Sequence, residues 1–168
     1  MRPISKETHT SVMAFLDNLN ADQIKAISER MEEKQPYVKS YIASSLEGMI
    51  SKKESTMLNF LFVFIIRCYE YEYGEMVLIS DQTVGDYNTE QDLYTQRESK
   101  RNSLRKIVSS LSKDANQREL IDYIDKFLED GNGFESGFNP AYLIIIKLVI
   151  YCTIILLNRE AEKKNEAS

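Results

Sequence analysis

The stretch Ala141–Leu157, AYLIIIKLVIYCTIILL, decides what kind of fold this chain has. Its 17 residues carry a single charge, Lys147, and a polar run, NREAEKKNEAS, follows. That is the layout of a membrane tail anchor, and 17 residues is the lower limit for crossing a bilayer. The 11 Leu, Ile and Val residues in it favour insertion by roughly 3 to 6 kcal/mol, while a central lysine opposes it by about 2.5 to 3.5. The balance is marginal. The competing reading is a helix at the centre of a bundle, apolar all round because neighbours cover every side. Lys147 would then reach solvent along one edge by extending its aliphatic stem.

The rest of the chain favours the bundle. Val12, Phe15, Leu16 and Leu19 recur at helical spacing, and this predicts a first amphipathic helix. Asn20 with Gln23 resembles a capping box and starts a second, with Ile24, Ile27 and Met31 inward. Pro36 suits the first turn of a third, carrying Val38, Tyr41, Ile42, Met49 and Ile50. A fourth runs from about Ser55 to about Ile79, and its first half, MLNFLFVFII at Met57–Ile66, is apolar all round. It passes through CYEYEYGE, Cys68–Glu75, where the alternation imitates a strand. On a helical wheel the apolar stripe stays in phase, which turns Tyr69 and Tyr73 towards the core.

Ser80–Asn88 reads as a loop, and Thr89 as the cap of a fifth helix reaching Leu111. Asp114 with Gln117 opens a sixth, directing Leu120, Ile121, Ile124, Phe127 and Leu128 inward until Gly131 stops it. Asn139-Pro140 starts the last. Six of these helices offer at least one apolar face that needs covering. The expected fold is all-α: one helical bundle of about six or seven helices over residues 1–168, with two very apolar helices, the fourth and the last, at its centre. Residues 158–168 read as a frayed polar tail.

Composition agrees. The 168 residues are 43% hydrophobic and 28% charged, the usage of a globular domain, and six Gly with three Pro leave little turn chemistry for an all-β fold. Two cysteines, Cys68 and Cys152, lie inside apolar runs and read as reduced, buried thiols of a cytoplasmic protein.

Several chemistries are excluded or weakened. One histidine, His9, cannot build the zinc or di-iron motifs that need two or more. In KETHTSV it reads as a surface residue. The cysteines are far apart and have no Cys-x-x-Cys spacing. In EDGNGFESGF, Asp130, Asn132 and Gly133 echo the middle of an EF-hand loop, but the carboxylates that open and close such a loop would fall at Leu128 and Asn139. The same stretch lacks the Gly-Lys-Ser/Thr of a phosphate loop. No catalytic residue, metal or cofactor is expected, and Asp86–Asp92 has no recognised cation-ligand spacing.

Charge segregation is the signal that packing does not explain. Between Cys68 and Gln96 there is no Lys or Arg. The acids Glu70, Glu75, Asp81, Asp86, Glu90 and Asp92 fall there, interleaved with Tyr71, Tyr87 and Tyr94. Such a surface suits docking on a basic patch of another protein or on a second copy of this chain, since tyrosine offers large contact area at low entropic cost. Arg97, Lys100, Arg101 and Arg105 follow at once, with Arg97, Arg101 and Arg105 at i, i+4 spacing on one ridge of the expected fifth helix. That ridge offers phosphate contacts to a nucleic acid, although the net charge of −5 opposes nonspecific binding by the whole surface. The expectation is a non-enzymatic interaction module, an adaptor or regulator, with nucleic-acid binding and membrane attachment through 141–157 as the alternatives.

Overall fold

The computed structural model describes residues 2–100, 102–130 and 137–167. They form eight helices: α1 Lys6–Asp17, α2 Ala21–Lys34, α3 Pro36–Ser45, α4 Lys52–Tyr73, α5 Asp81–Ser99, α6 Leu104–Asp114, α7 Arg118–Asp130 and α8 Leu143–Glu166. No strand occurs among the described residues. The fold is all-helical, as the periodicity predicts. The count exceeds six or seven because what reads as one fifth helix is two.

Local chemistry sets most boundaries. Ser5 caps α1 by accepting from Thr8 N at 3.2 Å. Asn20 and Gln23 close a reciprocal capping box on α2, both bonds at 3.0 Å. Ser51 and Glu54 do the same on α4, and Pro36 occupies the first turn of α3. The Glu54 carboxylate also accepts from Asn139 N at 2.7 Å, tying the approach to α8 onto the start of α4.

The fourth helix stops at Tyr73 and does not reach Ile79. Gly74 takes φ +79°, where a side chain would be strained, and its N–H closes on Glu70 O at 2.9 Å. An extended strap then leads to Ser80, which caps α5 by accepting from Thr83 N at 3.1 Å. Ser80–Asn88 is therefore a cap and two turns of helix instead of a loop, and Thr89 sits mid-helix with its hydroxyl donating to Gly85 O at 2.9 Å. The strap is held by a buried side chain in place of a neighbouring strand. Gln35 Nε2 donates to Val77 O at 2.8 Å, and Gln35 Oε1 accepts from Ile79 N at 3.2 Å. Met76 and Ile79 turn inward while Val77 and Leu78 face solvent.

The buried apolar side chains form one cluster. Most of Met57–Ile66 lies in it, and so does α8 from Ile146 through Leu157 apart from a few partly buried positions. α8 packs against α3, α4, α5, α6 and α7, and α4 packs against α1, α2 and α8. No described helix is long and apolar enough to cross a membrane. The polar run after Leu157 is helical as far as Glu166, where a frayed tail is expected, because it has tertiary partners. Ala161 is buried, and Lys164 Nζ donates to Tyr73 O at 3.3 Å and Glu75 O at 2.6 Å.

Asn158 is the polar hub of the interior. Its Oδ1 accepts from Tyr69 OH at 2.6 Å and from Gln117 Nε2 at 3.0 Å, and its Nδ2 donates to Ala115 O. Gln117 Oε1 in turn accepts from Ile4 N at 2.7 Å. One connected network thus links the chain before α1, α4, the α6–α7 turn and α8. Gln117 precedes α7, which begins at Arg118; Asp114 ends α6 instead of opening the next helix. Last, α8 begins at Leu143, after a turn in which Asn139 Oδ1 accepts from Ala141 N at 3.0 Å.

His9 is not a surface residue. It is 6% exposed, its ring centroid lies 6.1 Å from that of Phe64 and 5.9 Å from that of Tyr123, and its Nε2 has no hydrogen-bond partner. Burial holds its pKa below the ordinary histidine value, against a weaker opposing pull from Glu119. Phe15, expected inward, is 42% exposed under the Arg67 guanidinium, 5.2 Å from its ring centroid. Both cysteines are free and buried. The loop test on EDGNGFESGF concerns a stretch of which 131–136 lie outside the described residues.

Candidate functional site

The acidic segment divides in two. At the end of α4, Glu70 is mostly buried and paired with Lys34 at 2.8 Å and Arg67 at 2.9 Å. Glu75 is exposed and shares Lys34 at 2.9 Å. Tyr71 is 64% exposed between them. These carboxylates hold α2 to the end of α4, so their charge is largely spent within the fold.

α5 differs. Only Val84 and Tyr87 on it are fully buried. Asp81, Asp86 and Asp92 are exposed and form no ion pair among the described residues; Asp86 accepts only an amide hydrogen bond, from Gln82 at 2.7 Å. Glu90 is held by a two-pronged contact with Arg159, at 2.9 and 3.1 Å, and this pulls its pKa down. Leu93 is 63% exposed on the same helix. Tyr87 does not belong to this surface, since it is buried under the Arg159 guanidinium, 4.9 Å from its ring centroid. Its place on α5 turns it inward with Val84. Tyr94 is half-buried, with Arg97 5.9 Å from its ring centroid.

The basic ridge is broken. Arg97 stands near the end of α5 and Lys100 ends it, Arg101 lies outside the described residues, and Arg105 belongs to α6. Between them the chain leaves the helix: Asn102 N closes on Glu98 O at 2.7 Å, and Ser103 starts a new hydrogen-bond ladder with Ile107 N at 3.2 Å. The i, i+4 spacing of 97, 101 and 105 therefore does not describe one helix face.

A polar cleft that linear reading misses lies between α6, α7 and α8. Its volume is ≈ 480 Å³. Each helix supplies an i, i+4 pair: Arg105 and Ser109, Asp125 and Glu129, Lys147 and Tyr151. Lys147 Nζ lies 3.1 Å from Asp125 Oδ1 and 2.8 Å from Glu129 Oε1, and its side chain is 14% exposed. Tyr151 OH donates to the same Asp125 oxygen. Burial opposes the ammonium charge, but the two carboxylates outweigh it and hold the Lys147 pKa above the ordinary lysine value. Val108, Leu143 and Ile144 give the cleft apolar walls. The spacings within 125–129 and 147–151 are visible in the sequence; their meeting is set by how three helices pack.

Among the described residues no group of three or more His, Cys, Asp or Glu is arranged to hold a metal ion. No family model, no curated protein and no solved structure matches this chain.

Proposed function

We propose that this chain is a non-enzymatic helical interaction module, built around α4 and α8, that docks the outer face of α5 on a basic patch of a partner protein. The observation that carries this reading is the set of carboxylates Asp81, Asp86 and Asp92, exposed and without ion-pair partners among the described residues, around the exposed Leu93. Acids that balance a fold are paired, as Glu70, Glu75 and Glu90 are here. Unpaired like charges on one helix repel each other, and a basic partner relieves that repulsion. Complementary charge speeds encounter and fixes register, while Leu93 supplies contact area that leaves water only in the complex.

The test is a photo-crosslinker at the exposed position 89, followed by association kinetics with whatever protein is captured reproducibly. Reversing charge with D81K, D86K and D92K should slow association about tenfold or more at low salt, and salt should erase the difference. An on-rate unchanged by all three reversals at low salt removes the proposal.

A further inference from the structure

The cleft between α6, α7 and α8 carries an inference independent of the α5 surface. A lysine inside an apolar helix needs only one carboxylate to satisfy it. Lys147 has two, and a tyrosine hydroxyl from the next turn fixes the nearer one. Asp125 and Glu129 together outnumber the ammonium, so this part of the cleft carries one negative charge in excess. Arg105, exposed and without an ion-pair partner among the described residues, brings one positive charge to the same cleft from α6. Between these opposite excesses lie the apolar side chains of Val108, Leu143 and Ile144. The volume is within the range of small-molecule sites, about 300–1,000 Å³, and such sites combine apolar walls with a few placed polar groups.

The geometry points to a binding site for a small zwitterion with an apolar body, an α-amino acid with a large apolar side chain. Its ammonium group faces the Asp125–Glu129 pair, its carboxylate faces Arg105, and its side chain lies on the α8 wall at Leu143 and Ile144. Lys147 acts as a positioning residue: it holds both acceptors in place and stays protonated, so it is not a nucleophile. No bond is made or broken.

The test uses methyl and amide NMR spectra of the full chain, titrated to millimolar concentration with L-phenylalanine, L-leucine and L-methionine. Hydrocinnamate, which lacks the ammonium group, and phenethylamine, which lacks the carboxylate, serve as comparisons. At least one amino acid should shift the Leu143 and Ile144 methyl signals saturably, and hydrocinnamate and phenethylamine should each bind about tenfold or more weakly than phenylalanine, the weight of one charge-assisted contact. Arg105→Ala, at an exposed position, should weaken binding of the preferred amino acid by a similar factor and leave the thermal midpoint unchanged. Asp125→Asn should weaken it as well. If no amino acid shifts these signals, or hydrocinnamate or phenethylamine binds as well as phenylalanine, or Arg105→Ala binds like the unmodified chain, the inference is wrong.

Discussion

Replacing Asn158 by leucine tests whether the buried polar hub holds the helices together. The substitution removes one acceptor and one donor from three partners. Tyr69 OH keeps a second acceptor, Ile154 O at 3.2 Å, and is not orphaned. Gln117 Nε2 and Ala115 O are, in surroundings where Gln117 is 1% exposed and Ala115 fully buried. Each buried group left without a partner costs about 1–3 kcal/mol. Leucine recovers some of this through apolar contact, so the net loss should be about 3 kcal/mol. For a chain of this length that lowers the midpoint by about 6–12 °C. Far-UV circular dichroism in urea and by heating measures both quantities. Tyr69→Phe alone should cost about 1 kcal/mol, and less in the Asn158→Leu background, because the bond it removes is already gone; the double-mutant cycle isolates that coupling. A loss well below 1 kcal/mol for Asn158→Leu, or an equal cost of Tyr69→Phe in both backgrounds, refutes the reasoning.

His9 makes stability depend on pH. Its pKa is depressed in the folded chain, so the unfolded chain binds the proton first as pH falls. Its contribution is then fully present above about 6.5, the unfolded value, and declines as pH drops towards the folded pKa. His9→Phe should flatten urea midpoints across that window, and an undiminished slope in the variant would place the effect elsewhere. Gln35→Ala should free the strap: hydrogen exchange at the Ile79 amide should rise by at least about tenfold while amides in the middle of α4 stay protected, and equal rises at both would mean the whole fold had loosened.

How much could be seen in the sequence depended on whether a feature was local. Capping at Asn20 and Gln23 and the inward face of Leu120, Ile121, Ile124, Phe127 and Leu128 involve neighbours a turn apart, and all of these are found as expected. The end of α4 was harder to see because Met76 and Ile79 remain apolar in helical phase after Gly74 has already turned the chain. α5 was hidden for the opposite reason: it buries so little that SDQTVGDYN looks like a loop, although Ser80 and Thr83 carry the cap signal. His9 stands three residues before Val12 and seven before Leu16, on the same helical face. That spacing was the available clue to its burial, and residue type concealed it. The Asn158 network and the three-helix cleft join residues far apart in sequence, so no window of sequence contains them.

The placement of α8 bears on synthesis. It contacts five other helices, and it follows all of them in the chain. During vectorial translation α6 and α7 emerge with Ile107, Leu111, Ile124 and Phe127 uncovered, and α4 emerges with Tyr69 lacking both of its acceptors. A nascent chain in this state presents adhesive surface to its neighbours on the polysome. The interval before α8 arrives is when this protein is most exposed to aggregation, and when a holding chaperone would matter most to its yield.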